Sequence, residues 1–540
     1  MARWGRLTEF EDIRDLDIAQ TLERSVSLVP DKIALINGSE RITYKDLNAR
    51  VDAFASGLES LGTRKGDRVA IDLVNCPEQI VAYYACCKLG AIVAWCNPLY
   101  RAEEFRFLVS NSGASTVVLH KDFKGFDYLG MVRSMRQHLP DLVNVVVVGG
   151  SPEPDALDFD GMLRQGWGRP YERGEIDPQR DLAMLLYTGG TTGIPKGAMH
   201  THEVCIHNSG LGIPILDISA DDVYLALIPL HHAFGLAHIT NQAIQAQATI
   251  VLMPEYSPEL ALQLIQEHRV TIHHAAPTHI LLETGHPNLS NYDLSSLRVG
   301  FGGGAVWPPD VFHRAEDMLG LAVFNGWGMA EVAGVGIYCH AKDPNRDSSI
   351  GKPIQDASAR IVDPDTGVEV PPGEPGELCF GGPILKGYWR NPEETARAID
   401  AEGFLHTGDQ VTMDEQGYIR VTSRIKEIIK RGGLSINPNE TESLLYEHPR
   451  VKEACVVPTP NPVLGESICA CVISTDGKPL RLGEIRGFMR DKIASYKIPD
   501  ELVNFHDFPR LVGGIKIRKF GPGGVQEMAV ADATREKSHR

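Results

Sequence analysis

The sequence predicts an α/β protein built in layers, and three observations carry that expectation. Short apolar runs alternate with segments of helical periodicity. Clusters of Pro, Gly and Asp in the second half mark a β-rich portion. The chain has 540 residues, too many for one ordinary core, so about three to four structural units are expected.

Thr43-Tyr44-Lys45-Asp46 reads as a capping signal ahead of a helix, in which Leu47, Val51, Phe54, Ala55 and Leu58 recur at helical spacing. Gly66 to Ile71 is a turn feeding a strand, Pro77 to Leu89 a helix, and Ala91 to Trp95 an apolar strand. Val117-Val118-Leu119 and Val145 to Val148 continue the alternation, which argues for largely parallel sheets. Ser151 to Arg180, rich in Pro, Gly, Asp and Glu, reads as a surface connection. Asp363 to Gly367 and Pro371 to Gly376 are turns between short strands. Gly521 to Gly524 interrupts the chain, and the polar residues beyond it predict a mobile tail.

Composition narrows the function classes. The hydrophobic fraction of 43% and the charged fraction of 23% are those of a soluble globular protein. A formal net charge of −17 disfavours nucleic-acid binding. The ten cysteines have no zinc-ligand spacing and read as reduced thiols of a cytoplasmic protein. The N-terminal residues lack the apolar core of a signal peptide, and no run approaches the ~20 apolar residues that span a bilayer.

The chemistry concentrates at Thr188, Gly189, Gly190, Thr191, Thr192 and Gly193, followed by Ile194-Pro195-Lys196-Gly197. The apolar run Leu182 to Leu186 reads as the strand leading in. Glycines let backbone N–H groups approach an anion, hydroxyls add donors, and the lysine adds a point charge. The order differs from the P-loop of nucleotide triphosphatases, where Gly-Lys-Ser/Thr closes the motif.

This loop resembles the phosphate loop of the adenylate-forming superfamily, which includes acyl-CoA synthetases, firefly luciferase and peptide-synthetase adenylation domains. Further blocks resemble the family in the same order. They are Ile42 to Leu47, Gly66 to Ala70, Pro229 to Gly235, Gly302 to Val306, Asn325 to Glu331, Gly403 to Asp409, Asp414 to Ile419 and Ser423 to Gly433. The resemblance implies a large multi-layer N-terminal domain over 1–425, a small mobile α+β lid over 426–520, and a flexible tail over 521–540. It implies an ATP-dependent carboxylic acid–CoA ligase working through an acyl-adenylate on a fatty or aromatic acid. ATP, Mg²⁺ and coenzyme A are the implied cofactors. Delivery to a carrier protein or an amine, a half-active relative without adenylation, and a homodimer stay open.

By family position, Thr188 to Gly193, Lys196, Gly303, Gly304, Ala305, Trp327, Gly328, Met329, Ala330, Asp409, Arg424 and Lys516 bind ATP. Trp327 would stack on adenine, Asp409 and Arg424 would hold the ribose, and Glu331 with Thr188 would hold Mg²⁺. Ala330 stands where the family usually has a hydroxyl. His232, Thr278, Gly302, Val306, Trp307 and Val332 are the implied acyl-pocket positions. Lys426 is the hinge, and Lys430, Arg431, Gly432 and Gly433 serve the thioester step. Lys516, His232, Glu331 and Lys430 are the implied catalytic groups. Lys516 lies one residue later than the family lysine, and Lys519 stays open as the alternative.

Overall fold

Helix Tyr44–Ser60 begins where the capping signal places it. The Thr43 hydroxyl accepts the Asp46 N–H at 3.1 Å, filling one of the donors that a helix N-terminus leaves open. Leu47, Val51, Phe54, Ala55 and Leu58 are all buried. Helix Pro77–Leu89 follows as expected and ends at Gly90, whose φ of 70° favours glycine.

The computed structural model describes residues 13, 15–150, 153–188, 195–303, 307, 309–339, 343, 345–431, 434–461, 463–490, 492–493, 495–510 and 517–538. These fall into two compact units, the first from 13–188, 195–358 and 381–405, the second from 359–380 and 406–538. The second unit takes in the β-rich segment as well as residues of the expected lid.

The first unit is organised on a seven-stranded sheet. Its order is Lys196–Thr201, Leu182–Thr188, Ile92–Trp95, Arg68–Asp72, Thr116–His120, Asn144–Val148 and Leu157–Asp158. All neighbours are parallel except the first pair, which is antiparallel. Alternate side chains divide between two cores: Val69, Ile71, Val93 and Val118 on one face, Ala70, Ala94, Val117 and Leu119 on the other. Burial on both faces explains why these strands read as continuous apolar runs. Two four-stranded sheets and the small hairpin Asp122–Phe123/Phe126–Asp127 belong to the same unit. One sheet runs Val223–Ala226, Thr249–Leu252, Ile33–Asn37, Glu40–Thr43, and the other Val299–Gly302, Ala322–Trp327, Ile337–Tyr338, Lys352–Pro353.

The stretch expected as a surface connection, Ser151 to Arg180, holds more structure than its composition suggests. It contributes the edge strand Leu157–Asp158 and helix Phe159–Gly166. The Asp158 carboxylate accepts the Gly161 N–H at 2.8 Å, and Phe159 stacks on Phe54 at 4.3 Å. Two buried side chains three residues apart, Phe159 and Met162, outweigh the polar residues around them.

In the second unit, strands Ser358–Val362, Gly376–Gly381, Leu405–Met413 and Ile419–Arg424 form the β-rich sheet, with the expected turn clusters between them. A five-stranded sheet follows, built on the hairpin of Val451–Asn461 and Gly465–Ser474. One face, with Val456, Ile468, Ala470 and Val472, packs with Leu445, Ile485 and Met489. The other, with Cys455, Val457, Cys469 and Cys471, packs with Val525 and Ala529. Where a flexible tail was expected stands helix Val525–Ser538, whose buried Val525 and Ala529 cover this sheet face. All ten cysteines are unbonded and buried. Among the described residues no helix is long and apolar enough to cross a membrane.

Val525→Asp places a carboxylate in that interface, and it should destabilise the second unit by about 3 kcal/mol. The check is a urea unfolding curve; an unshifted midpoint would mean that the helix contributes nothing.

Candidate active site

The phosphate loop is framed by its own hairpin. Strands Leu182–Thr188 and Lys196–Thr201 pair so that Thr188 lies opposite Lys196; Gly189 to Gly193 lie outside the described residues. The outer edge of this hairpin is covered by residues 386–389. Lys386 N–H donates to Met199 O at 2.8 Å, Met199 N–H to Gly387 O at 3.0 Å, and Trp389 N–H to Gly197 O at 2.8 Å. This extra pairing sets two side chains that the sequence reading did not single out. Glu394, in the first turn of helix Pro392–Ala398, forms an ion pair with the Lys196 ammonium. Tyr388 lies 5.4 Å below the same ammonium and donates its hydroxyl to Glu331 Oε1 at 2.8 Å.

Glu331 is therefore buried, 7% exposed, and oriented rather than solvated. Its backbone carbonyl also accepts the Leu385 N–H at 2.8 Å. Burial, then the Glu331 carboxylate, push the Tyr388 phenol up, so it stays a neutral donor. The hydrogen bond from Lys196 holds the Glu394 carboxyl below the usual range. The loop lysine and the candidate metal carboxylate thus hang from one short segment.

Trp327 ends strand Ala322–Trp327 and is buried. Gly328 follows because nothing larger fits: a Cβ there would lie 1.8 Å from the Gly334 carbonyl oxygen. Met329 and Ala330 are half-buried. Val332 is buried, and Thr278 on helix Pro277–Thr284 is half-buried. Gly302 is covered by the Trp307 ring, which would approach a Cβ to 2.7 Å, so Trp307 turns into the core and packs edge-on to Phe312. Gly303 faces Phe234, 3.2 Å from where its Cβ would be. Gly304, Ala305 and Val306 lie outside the described residues.

The adjacent histidines separate into two roles. His231 Nε2 lies 2.6 Å from the Asn97 amide, and burial, with His232 beside it, pushes its pKa down to about 3. His232 is exposed and caps Ala233–Gly235 by accepting the Phe234 N–H at 3.3 Å. The chain then makes a π-helical turn, Leu236–Asn241, a form that recurs at functional sites. It carries His238, which stacks on Phe301 at 4.8 Å and meets the Tyr338 hydroxyl at 3.3 Å. His274 Nδ1 accepts the Phe301 N–H at 3.1 Å, so its Nε2 carries the proton toward Gln242 Oε1 at 3.3 Å. Burial holds both imidazoles neutral, His238 at about 3 and His274 well below its ordinary value. The sequence reading missed this aromatic and imidazole cluster. Its members are dispersed from 234 to 338, and only the close spacing of His232 and His238 hinted at it.

In the second unit, Asp409 and Arg424 are direct cross-strand partners, with Nε to Oδ1 at 2.5 Å and side-chain exposures of 4% and 44%. The two expected ribose groups come together, the carboxylate sunk and the guanidinium half in solvent. Lys426 falls in the short turn Ile425–Glu427 and Lys430 in strand Ile429–Arg431. Arg431, expected to serve the thioester step, is engaged elsewhere: its guanidinium makes a two-pronged pair with Asp500 at 2.8 and 2.7 Å. Gly432, Gly433 and Lys516 lie outside the described residues. Lys519 is also engaged, at 2.6 Å from Glu442 and 3.1 Å from Glu427. Burial alone would lower its pKa, but the two carboxylates outweigh burial and raise it. A lysine so placed is a structural cation.

Two family patterns cover most of the chain: the AMP-binding enzyme pattern matches residues 22–389, and the AMP-binding enzyme C-terminal domain matches 440–511. The chain belongs to the AMP-binding enzyme family. It is 32% identical, over 92% of both chains, to a long-chain-fatty-acid–CoA ligase of Bacillus subtilis (strain 168). It is 33% identical to a feruloyl-CoA synthase of Amycolatopsis sp, over 92% of this chain and 96% of that one. Among solved structures, the anthranilate CoA ligase AuaEII in complex with anthranoyl-AMP superposes with a TM-score of 0.88, at 26% identity, covering 97% of this chain and 99% of the other. The family membership and the agreement of these relatives make the protein an adenylate-forming, AMP-producing acid–CoA ligase, using ATP and CoA.

Tyr388→Phe removes the hydrogen bond that orients Glu331. Acid-dependent pyrophosphate release at limiting Mg²⁺ should fall about tenfold, the loss of one hydrogen bond to a charged group, with partial recovery at high Mg²⁺. A rate unchanged at every Mg²⁺ concentration would contradict that role. Lys519→Met leaves the half-buried Glu427 and Glu442 carboxylates without their shared cation and should cost about 2 kcal/mol of stability, read from thermal or urea unfolding.

Proposed function

We propose that the acid activated here is aromatic and that Lys516 is the adenylating lysine. The observation that carries the substrate reading is the cluster of Phe234, Phe301, His238, His274 and Tyr338 beside Gly303. A planar ring gains from flat and edge-on contacts with such walls, and a glycine lets it approach the backbone. Feruloyl and anthranilate ligases among the relatives support this reading; the long-chain-fatty-acid ligase keeps a fatty acid as the competing one.

The carboxylate of the acid attacks the α-phosphorus of ATP and pyrophosphate leaves. Thr188 to Gly193 and Lys196 hold the departing phosphates. Lys196 does so by giving up Glu394, whose own alternative partner is Arg397. Glu331, oriented by Tyr388, and Thr188 offer oxygen donors of the kind that Mg²⁺ accepts, and the ion supplies charge neutralisation when bound. Lys516 neutralises the oxygens of the carboxylate and α-phosphate as the bond forms. His232, exposed beside a His231 locked by Asn97, faces the carboxylate end of the acid. Trp327, Gly303 and the backbone of Gly328 to Ala330 seat the adenine side, and Asp409 with Arg424 holds the ribose. The lid, residues 426–520, then turns about Lys426 and exchanges Lys516 for Lys430, Gly432 and Gly433. A thiol attacks the acyl-adenylate and AMP leaves. Such turns often set kcat. Reduced, buried cysteines suit a cytoplasmic setting, and CoA is the acceptor we favour over a carrier protein.

A panel of benzoic, cinnamic and C6 to C18 fatty acids, assayed for pyrophosphate release with and without CoA, tests the substrate. Aromatic acids should lead in kcat/KM by at least about tenfold; fatty acids leading would reverse the assignment. Lys516→Ala should abolish release while leaving the unfolding midpoint unchanged, the opposite of Lys519→Met. Loss of release in a normally folded Lys519 variant, with Lys516→Ala active, would move the role.

A further inference from the structure

The β-rich sheet of the second unit carries a group of side chains that the ligase reaction does not use. Glu377 and Cys379 stand two residues apart on strand Gly376–Gly381 and so point to one face. His406, near the start of the neighbouring strand Leu405–Met413, presents its imidazole to the same face. His406 Nδ1 lies 2.9 Å from Glu377 Oε2 and 3.5 Å from Cys379 Sγ. The three donor atoms all fall within 4.8 Å of one another.

We propose that Glu377, Cys379 and His406 form a site for a thiophilic divalent cation of the Zn²⁺ class, separate from the Mg²⁺ that accompanies ATP. The two distances from His406 are close to those of tetrahedral coordination. Zinc bond lengths and a tetrahedral angle require about 3.5 Å between sulfur and nitrogen, and about 3.4 Å between oxygen and nitrogen. The sulfur already stands at that distance, and the carboxylate needs to retreat by only about half an ångström from its present hydrogen bond. One carboxylate, one imidazole and one thiolate select zinc over magnesium or calcium, which take oxygen ligands. Three protein ligands leave the fourth position for water.

The rest of the site is built. The second oxygen of Glu377 accepts the Gly408 N–H at 2.9 Å, which fixes the carboxylate from behind as outer hydrogen bonds do for metal ligands. Gly408 has a φ of 69°, the left-handed region that glycine favours. Thr407 donates to the Leu378 carbonyl at 2.8 Å, locking the two strands in register between the ligands. Cys379 is buried, while the His406 side chain is 33% exposed and Glu377 13%, so an ion and a water enter from the histidine side. Binding displaces the thiol proton and replaces the hydrogen bond between Glu377 and His406. The same strand reaches Asp409 three residues on, so an occupied site pins the strand that carries the proposed ribose carboxylate.

A second thiol group could compete: Cys469 and Cys471, with sulfurs 3.9 Å apart, beside Cys455. It lies under helix Val525–Ser538 and serves as the control. The full chain, stripped with EDTA and free of nucleotide, is titrated with Co²⁺ and followed by absorption. The expected result is one equivalent bound with a thiolate-to-cobalt charge-transfer band, displaced by one equivalent of Zn²⁺ but not by excess Mg²⁺. Cys379→Ser should abolish the band, and Glu377→Gln and His406→Gln should each weaken Zn²⁺ binding by on the order of 100-fold. Cys471→Ser should leave it intact. Circular dichroism and acid-dependent pyrophosphate release by Cys379→Ser confirm that the variant is folded; if it is not, the Glu377→Gln titration decides. No stoichiometric cobalt, or a band that survives Cys379→Ser or disappears with Cys471→Ser, overturns the proposal.

Discussion

The backbone pairing of residues 386–389 onto the edge of strand Lys196–Thr201 is the constraint on which the nucleotide end of the site depends. Three hydrogen bonds, from Lys386, Met199 and Trp389, hold it in place. They cover an edge that would otherwise be open to unwanted pairing, and they fix the start of helix Pro392–Ala398. Through that helix Glu394 reaches Lys196, and through Tyr388 the same segment reaches Glu331. A flexible lysine and a carboxylate from distant parts of the chain thereby acquire defined positions without touching each other. Preorganisation of this kind is what electrostatic catalysis of phosphate chemistry requires. The ion pair is half-buried and orders Lys196.

The cations of the second unit divide in the same way between structure and chemistry. Arg431 is committed to Asp500, and Lys519 to Glu427 and Glu442. Glu427 directly follows the proposed hinge residue, so Lys519 anchors the start of the lid to its own core. A charge held in two half-buried pairs would have to break both to reach a substrate. This leaves Lys516, whose spacing from Pro509 departs by one residue from the family's, as the lysine we propose for adenylation.

Much of this was legible in the sequence where local rules act alone. The Thr43 cap, the buried face of Tyr44–Ser60, the Pro77–Leu89 helix and the parallel strands follow from periodicity and capping. The cross-strand meeting of Asp409 and Arg424 was legible only by resemblance, because their pairing depends on the register of two strands. Helix Val525–Ser538 was missed because its buried Val525 and Ala529 are diluted by polar neighbours and its hydrophobic partner face comes from a distant hairpin. Tyr388, Glu394 and the His238 cluster were missed for the same reason: each acquires its role from a partner tens to hundreds of residues away, which no local pattern records. Cys379 and His406 show the limit most clearly, since metal-ligand spacing along the chain was absent while spacing across two strands is present.

The central claim is that the carboxylate of an acid attacks the α-phosphorus of ATP within this site. Its most direct test is a single turnover with acid labelled by ¹⁸O in its carboxylate, followed by mass spectrometry of the nucleotide and phosphate products after CoA is added. One ¹⁸O atom in AMP and none in pyrophosphate is the result required. Label in a phosphate product, ADP in place of AMP, or unlabelled AMP would contradict it.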